Sequence, residues 1–314
     1  MMLKRILIWA LAAAAVLGCG PRRAPKPNTR PFPRPDIPSV YTDDNARTKW
    51  LVSHYWDKFL DAGTTVADSL NGVSPDDLEY EMGTYSTLLG MVPVSDGKEA
   101  VGRYFSLLEA FQAAVPESAV FPHMVRLTDK YLKDPNSPVR SDDLYQTFVL
   151  GLSESHLTDQ SMKERYAWEA RLFGLNGTGT RAADFNFIDL EGRQGSLYGT
   201  RAEYLVLIFG NPDCNACREL AGNMQSVPSV VALENSGRLK VMDIYIDEDI
   251  ALWKSKAGEY PKGWIIGYDS DSVIRSDTKY FVRAIPSIYL LDKDKNVLLK
   301  DATEDRLLSF LGAL

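Results

Sequence analysis

From residue 41 to 173 the apolar positions recur at helical spacing. In "RTKWLVSHYWDKFL", Leu51, Tyr55 and Phe59 stand four apart with Trp56 beside them, which predicts a helix with one buried stripe. "SPDDLEYEMGTYSTLLG" opens on Ser74 as an N-cap, with Pro75 at the first helical position and acids in the first turn. "SDGKEAVGRYFSLLEAF" and "SDDLYQTFVLGL" open in the same way, at Ser95 and Ser141. Between them, "YLKDPNSPVRSDD" is a turn with two prolines. The pattern predicts an all-α domain of five or six helices, with its aromatic residues in the core. His54, His123 and His156 are scattered through it without metal-ligand spacing, and are expected to be structural or surface residues.

The Gly-rich stretch "FGLNGTGTRAADF", 173–185, is the expected domain boundary, because the period changes after it. "DFNFIDLEG" alternates like a strand and meets a turn. "YLVLIFG", 204–210, is a continuous apolar run suited to a strand buried on both faces. A helix with Leu220, Ala221, Met224 and Val227 on one side follows. A second strand, "LKVMDIYID", spans 239–247. Next come a helical stretch around Ile250–Ala257 and an irregular region to about residue 280. "SIYLLD" and "NVLLKD" flank the turn "KDK" as a β-hairpin, and Thr303 caps a closing helix. The order is strand, helix, strand, helix, two antiparallel strands, helix.

Charge sharpens this picture. Residues 1–38 hold seven basic residues and one acid, Asp36, which leaves 28 basic and 41 acidic residues, about −13, on the rest. So acidic a body repels phosphate backbones, and nucleic acid is set aside as a partner. The start, "MMLKRILIWALAAAAVLGCG", has Lys4 and Arg5 before an apolar run from Ile6 to Leu17. That run is short for a bilayer span, which takes about 20 apolar residues, and it reads as a secretory signal over 1–18. "VLGC" resembles the lipobox of bacterial lipoproteins, and the resemblance implies that Cys19 carries acyl chains and tethers an exported protein. "PRRAPKPNTRPFPRPDIP", 21–38, has seven prolines and is expected to be an extended, solvated spacer, so that 19–40 forms a lipidated linker.

Two of the three cysteines, Cys214 and Cys217, lie in "FGNPDCNACREL" just after the first buried strand. With the later "RAIPSIYLLD", this order over about 180–314 resembles the thioredoxin fold, and "AADFNFIDLEGRQGSLYG" resembles the entry to its membrane-tethered, extracytoplasmic members. The implied fold class is an N-terminal all-α domain followed by a C-terminal thioredoxin-like domain, a central mixed β-sheet flanked by helices. The resemblance implies Cys214 as nucleophile at a helix N-terminus, Cys217 as resolving thiol, and Ile285–Pro286 as a cis-proline loop where an extended substrate pairs. A redox-active disulfide would be the only cofactor.

Other uses of the pair are weaker. A structural zinc site needs four ligands, and two cysteines remain once Cys19 is assigned to lipid. No His follows Cys217 to complete a copper site. Asn211 stands where a peroxidase of the superfamily keeps Thr or Ser. A purely structural disulfide is the chief competitor in an oxidising compartment, but such bridges seldom use so short a spacing at a helix start. The chain also departs from the family. Asn215–Ala216 is neither Gly-Pro nor Pro-His, and Leu220 replaces a Glu found in some tethered reductases, with Glu219 expected to point elsewhere. Asp213 disfavours the neighbouring thiolate. Ile208 occupies the place of a buried proton-transfer Asp, so no such carboxylate is evident.

"HYWDKF", "YLKDPNSPVRSDDLY" and "NPDCNAC", behind a lipobox and proline-rich stalk, look like lipoproteins of Bacteroidota that pair a helical domain of unknown function with a thioredoxin-like one. The expected function is a membrane-tethered thiol–disulfide oxidoreductase that reduces or isomerises disulfides of exported proteins, recharged by a membrane electron donor. Its potential is expected at roughly −180 to −270 mV. The alternative is an envelope binding or assembly lipoprotein whose helical domain holds a partner. Gly20 after Cys19 favours the outer membrane, and "GPRRAP", lacking an acidic cluster, favours a periplasmic face.

Overall fold

The structure is a computed structural model that describes residues 30–64, 70–274, 276 and 279–314. Cys19, the apolar leader and the first part of the proline-rich stretch lie outside the described residues. Among the described residues, six α-helices build the first half: α1 (Asp44–His54), α2 (Pro75–Leu89), α3 (Val94–Ala114), α4 (Val120–Thr128), α5 (Asp142–Glu154) and α6 (Gln160–Gly174). Ser74 accepts from the Asp77 N–H at 3.1 Å and Ser141 from the Leu144 N–H at 3.4 Å, the capping expected of each. Ser95 does not cap. α3 begins at Val94, two residues before the start that a Ser95 cap implies, with Pro93 at the N-cap position after buried Val92. The expected helix through Phe59 stops at His54, whose ring stacks on Trp50 at 4.4 Å and whose Nδ1 lies 2.9 Å from the Trp50 carbonyl oxygen. Tyr55, Trp56 and Phe59 are buried in the turns beyond it.

The proline-rich segment is not solvated throughout. Phe32 packs 5.5 Å from the rings of both Trp56 and Phe59, and Arg34 pairs with buried Glu81 at 2.7 Å. One aromatic and one cation in the spacer thus close the top of the helical core.

The second half is a seven-stranded sheet in the order β2-β1-β5-β4-β3-β6-β7. Its strands are β1 (Asn186–Asp189), β2 (Gln194–Ser196), β3 (Tyr204–Gly210), β4 (Leu239–Tyr245), β5 (Ile265–Tyr268), β6 (Ser287–Asp292) and β7 (Val297–Leu299). β3, β4 and β5 run parallel, and the other pairings are antiparallel. The helices are α7 (Asn215–Ser226), α8 (Pro228–Asn235), α9 (Ile250–Ser255) and α10 (Glu304–Gly312). Val206, Ile208 and Val241 face α7, α8 and α10 with Leu220 and Met224, while Leu205, Leu207, Phe209 and Met242 fill the opposite core. β5 replaces part of the region expected to be irregular. Four residues carry too little period to be read from sequence, and pairing with β4 and β1 makes them a strand. α8 starts at Pro228, a position where proline is favoured rather than disruptive.

The Gly-rich boundary is an ordered seam. Gly179 donates to Val297 O and Val297 to Thr180 O, both at 2.8 Å, which adds backbone pairing along β7. Beside it, Arg283 donates to Asp142 at 2.6 Å and to Asp301 at 3.2 Å, and Arg140 reaches Asp301 at 3.3 Å. Buried Lys300 donates to Phe173 O, and Phe281 packs edge-on to Phe173 at 5.1 Å. The helical half is therefore bonded directly to the segment that leads into Pro286, through Phe281 and Arg283, and to Lys300 and Asp301 beyond β7.

Candidate functional site

β3 delivers the chain to α7 through "NPDC", and Cys214 is the N-cap of that helix. Its Sγ lies 3.1 Å from the Cys217 backbone nitrogen, so an unpaired amide of the first turn points at sulfur. The two cysteines form a disulfide, with Cα atoms 5.3 Å apart. Both are half-buried, and Asn215 and Ala216 between them are exposed. The Ile285–Pro286 peptide is cis, and the Ile285 carbonyl oxygen lies 3.7 Å from Cys214 Sγ. Four of the five residues singled out from sequence, Cys214, Cys217, Ile285 and Pro286, thus meet where β3 ends and β6 begins. The fifth, Cys19, lies outside the described residues.

The electrostatics around the sulfurs are mixed. Helix N-terminal amides favour a thiolate at Cys214. Asp213 opposes it, but its carboxylate is exposed and faces Lys256 at 4.0 Å. Arg218, one turn into α7, donates to Pro212 O at 2.6 Å and to Asn215, which keeps a cation behind the pair. Glu219 is exposed and Leu220 buried, as their helical positions imply. Among the described residues, no group of three or more His, Cys, Asp or Glu side chains is arranged to hold a metal ion.

The structure places one buried acid near the pair that the sequence reading did not single out. Asp243, in the middle of β4, pairs in register with Ile208 on β3 and lies on the same face of the sheet. It is 4% exposed, and burial raises its carboxyl to about 7. With Cys217, Tyr260 and Trp264 it lines a cavity of about 400 Å³ beneath the start of α7. A side chain at Gly210 would meet Asp243 Oδ2 at 3.1 Å, so the glycine gives the carboxylate room. The signal was one acid among the buried positions of β4; its direction depended on strand register.

The comparisons agree with this fold. A domain of unknown function, DUF5106, matches residues 19–173. No curated protein matches the chain. The crystal structure of a thioredoxin-like protein from Bacteroides caccae is 34% identical, with a TM-score of 0.77, and covers 90% of this chain and 99% of its own. The C-terminal domain of an uncharacterized protein from Bacteroides fragilis is 40% identical over 44% of this chain and 98% of its own, with a TM-score of 0.43. The thioredoxin domain of a thiol-disulfide oxidoreductase from Bacteroides vulgatus is 22% identical over 44% of this chain and 96% of its own, with a TM-score of 0.39. By its likeness to the Bacteroides caccae structure along nearly the whole of both chains, this chain belongs to that family of thioredoxin-like proteins.

Proposed function

We propose that the protein is a membrane-tethered, extracytoplasmic thiol–disulfide oxidoreductase that reduces or isomerises disulfides in exported proteins. The observation that carries this reading is Cys214 at the N-cap of α7, with its sulfur against the Cys217 amide and opposite the Ile285 carbonyl. In the reduced pair, the Cys214 thiolate attacks one sulfur of a substrate disulfide and the other sulfur leaves as a thiolate. Cys217 then attacks Cys214 Sγ, which closes the Cys214–Cys217 bond and releases the second substrate thiolate. Two electrons pass to the substrate, and the two thiol protons end on its two sulfurs. The backbone at Ile285–Pro286 offers an extended substrate a strand to pair with beside the reacting sulfur. A membrane dithiol donor would restore the reduced pair by the reverse exchange. An exported location is supported by the basic start, the short apolar run and the Cys19 lipobox, which would anchor the chain facing the periplasm, with the outer membrane favoured over the inner.

The test is a trap. With Cys217→Ser, the Cys214 mixed disulfide cannot be resolved from within, so covalent complexes with exported thiol proteins should accumulate and disappear under reductant. A Cys214→Ser control should capture none. A wild-type pair that resists strong thiol reductants, with no complexes in the trap, would instead favour a structural bridge. For the anchor, Cys19→Ala should release the protein from the membrane fraction, and an unmodified mature N-terminus other than Cys19 would end the lipoprotein reading.

A further inference from the structure

The Asp243 side chain makes no hydrogen bond to the protein, and its Oδ1 is sealed from solvent. Leaving a carboxylate in that state costs free energy, so its retention calls for a use. The other charged or titratable side chains lining the cavity are Cys217 and Arg218 from α7, and Glu259, Tyr260 and Lys262 from the segment before β5. Arg218 is held by Pro212 and Asn215, and Glu259 pairs with Lys256 at 3.0 Å. Glu234, on α8 behind Trp264, accepts from that indole at 3.1 Å and from Gln225 at 2.9 Å. The Tyr260 hydroxyl is buried and unpartnered too, and the charge of Asp243 helps hold its proton in place. Asp243 is thus a carboxylate without an ion-pair partner in the cavity it shares with the resolving sulfur.

We propose that Asp243 is the proton acceptor for Cys217 during resolution of the mixed disulfide, a role this chain carries on β4 rather than at Ile208 on β3. The inference rests on the exchange reaction proposed above. In the step, the Cys217 S–H proton passes to the Asp243 carboxylate, directly or through one water in the cavity. The Cys217 thiolate attacks Cys214 Sγ, the Cys214–substrate S–S bond breaks, and the substrate leaves as a thiolate. The proton then leaves Asp243 for that thiolate or for solvent, which returns the carboxylate. An acid with its midpoint near neutrality suits both halves of this cycle.

The experiment follows a single turnover of the full chain carrying Cys19→Ala, reduced and mixed with less than one equivalent of 5,5′-dithiobis(2-nitrobenzoate). The first thionitrobenzoate released reports attack by Cys214, and the second reports resolution by Cys217. Asp243→Asn should leave the first phase unchanged and slow the second at least tenfold at pH 7. Its deficit should shrink as pH rises past the ordinary thiol range, about 8.5, where hydroxide can make the thiolate unaided. Ile208→Asp added to Asp243→Asn puts a carboxylate on the neighbouring strand and should restore the second phase near pH 7. If Asp243→Asn fails to fold, Asp243→Leu, matched to the apolar surroundings, reads the same phase. A second phase within twofold of wild type at every pH overturns the assignment. A wild-type protein with no first phase would remove the exchange reading, and this inference with it.

Discussion

Asp142, at the first turn of α5, and Asp243, in the middle of β4, are both almost shut off from water, and burial raises both carboxyl groups. Their company differs. Asp142 receives Arg283 at 2.6 Å and has Lys300 at 3.9 Å, and these cations oppose the effects of burial and of nearby Asp301. Asp243 has neither a cation nor a hydrogen bond to offset its burial. The first acid is structural: it ties the helical half to the segment that carries Ile285 and Pro286. The second makes no side-chain bond and lines a cavity together with Cys217. Burial alone therefore does not mark a functional acid; burial without a partner, in a cavity shared with a reactive group, does.

The largest effect should come from breaking the partnered site. Asp142→Ala takes from Arg283 its 2.6 Å partner and from buried Lys300 the acid that acts on it most strongly, leaving Arg283 with Asp301 at 3.2 Å, and should cost about 3 kcal/mol in urea unfolding. Replacing Asp142 and Arg283 together with apolar residues should cost less than Asp142→Ala alone, because the cation leaves with the acid. Equal losses in the two variants would mean that packing, not charge, holds the seam.

The unpartnered acid should show itself through pH. The unfolded chain loses the Asp243 proton near pH 4 and the folded chain near 7, so between them the folded state binds more protons and stability falls as pH rises. Asp243→Asn lacks that slope. Relative to wild type, it should be about 2–3 kcal/mol better off at pH 8 than at pH 5 by urea unfolding. A difference independent of pH would mean that Asp243 is ordinary in its acidity. The smallest expected effect is at Gly210→Ala, whose Cβ would stand 3.1 Å from Asp243 Oδ2. It should cost about 1 kcal/mol by crowding, and Gly210→Ala in an Asp243→Ala background should cost measurably less. Additive losses would place the carboxylate away from the glycine.

Several elements could be read from local chemistry because they rest on it. Ser74 and Ser141 cap the helices they precede, and the unbroken apolar run of Tyr204–Gly210 forms a central strand flanked by partners on both edges. Cys214 and Cys217 are close because three residues of helix N-terminus hold them there. Elsewhere long-range contact overrode the local signal. Four residues became β5 because β4 and β1 lay on either side. Phe32 joined the aromatic core from a proline-rich segment with no period to announce it.

The order of helices and strands and the place of the cysteine pair come from spacing, capping and apolar period, which act within a few residues. The proline of the opposing loop was legible only through the resemblance to the thioredoxin fold. The seam between the halves and the role of Asp243 have another origin. Arg283 and Asp142 are 141 residues apart, and Asp243 meets the Cys217 cavity only through its register with β3. Whether a buried charge finds a partner is a property of the assembled surfaces around it, and no stretch of sequence contains both sides.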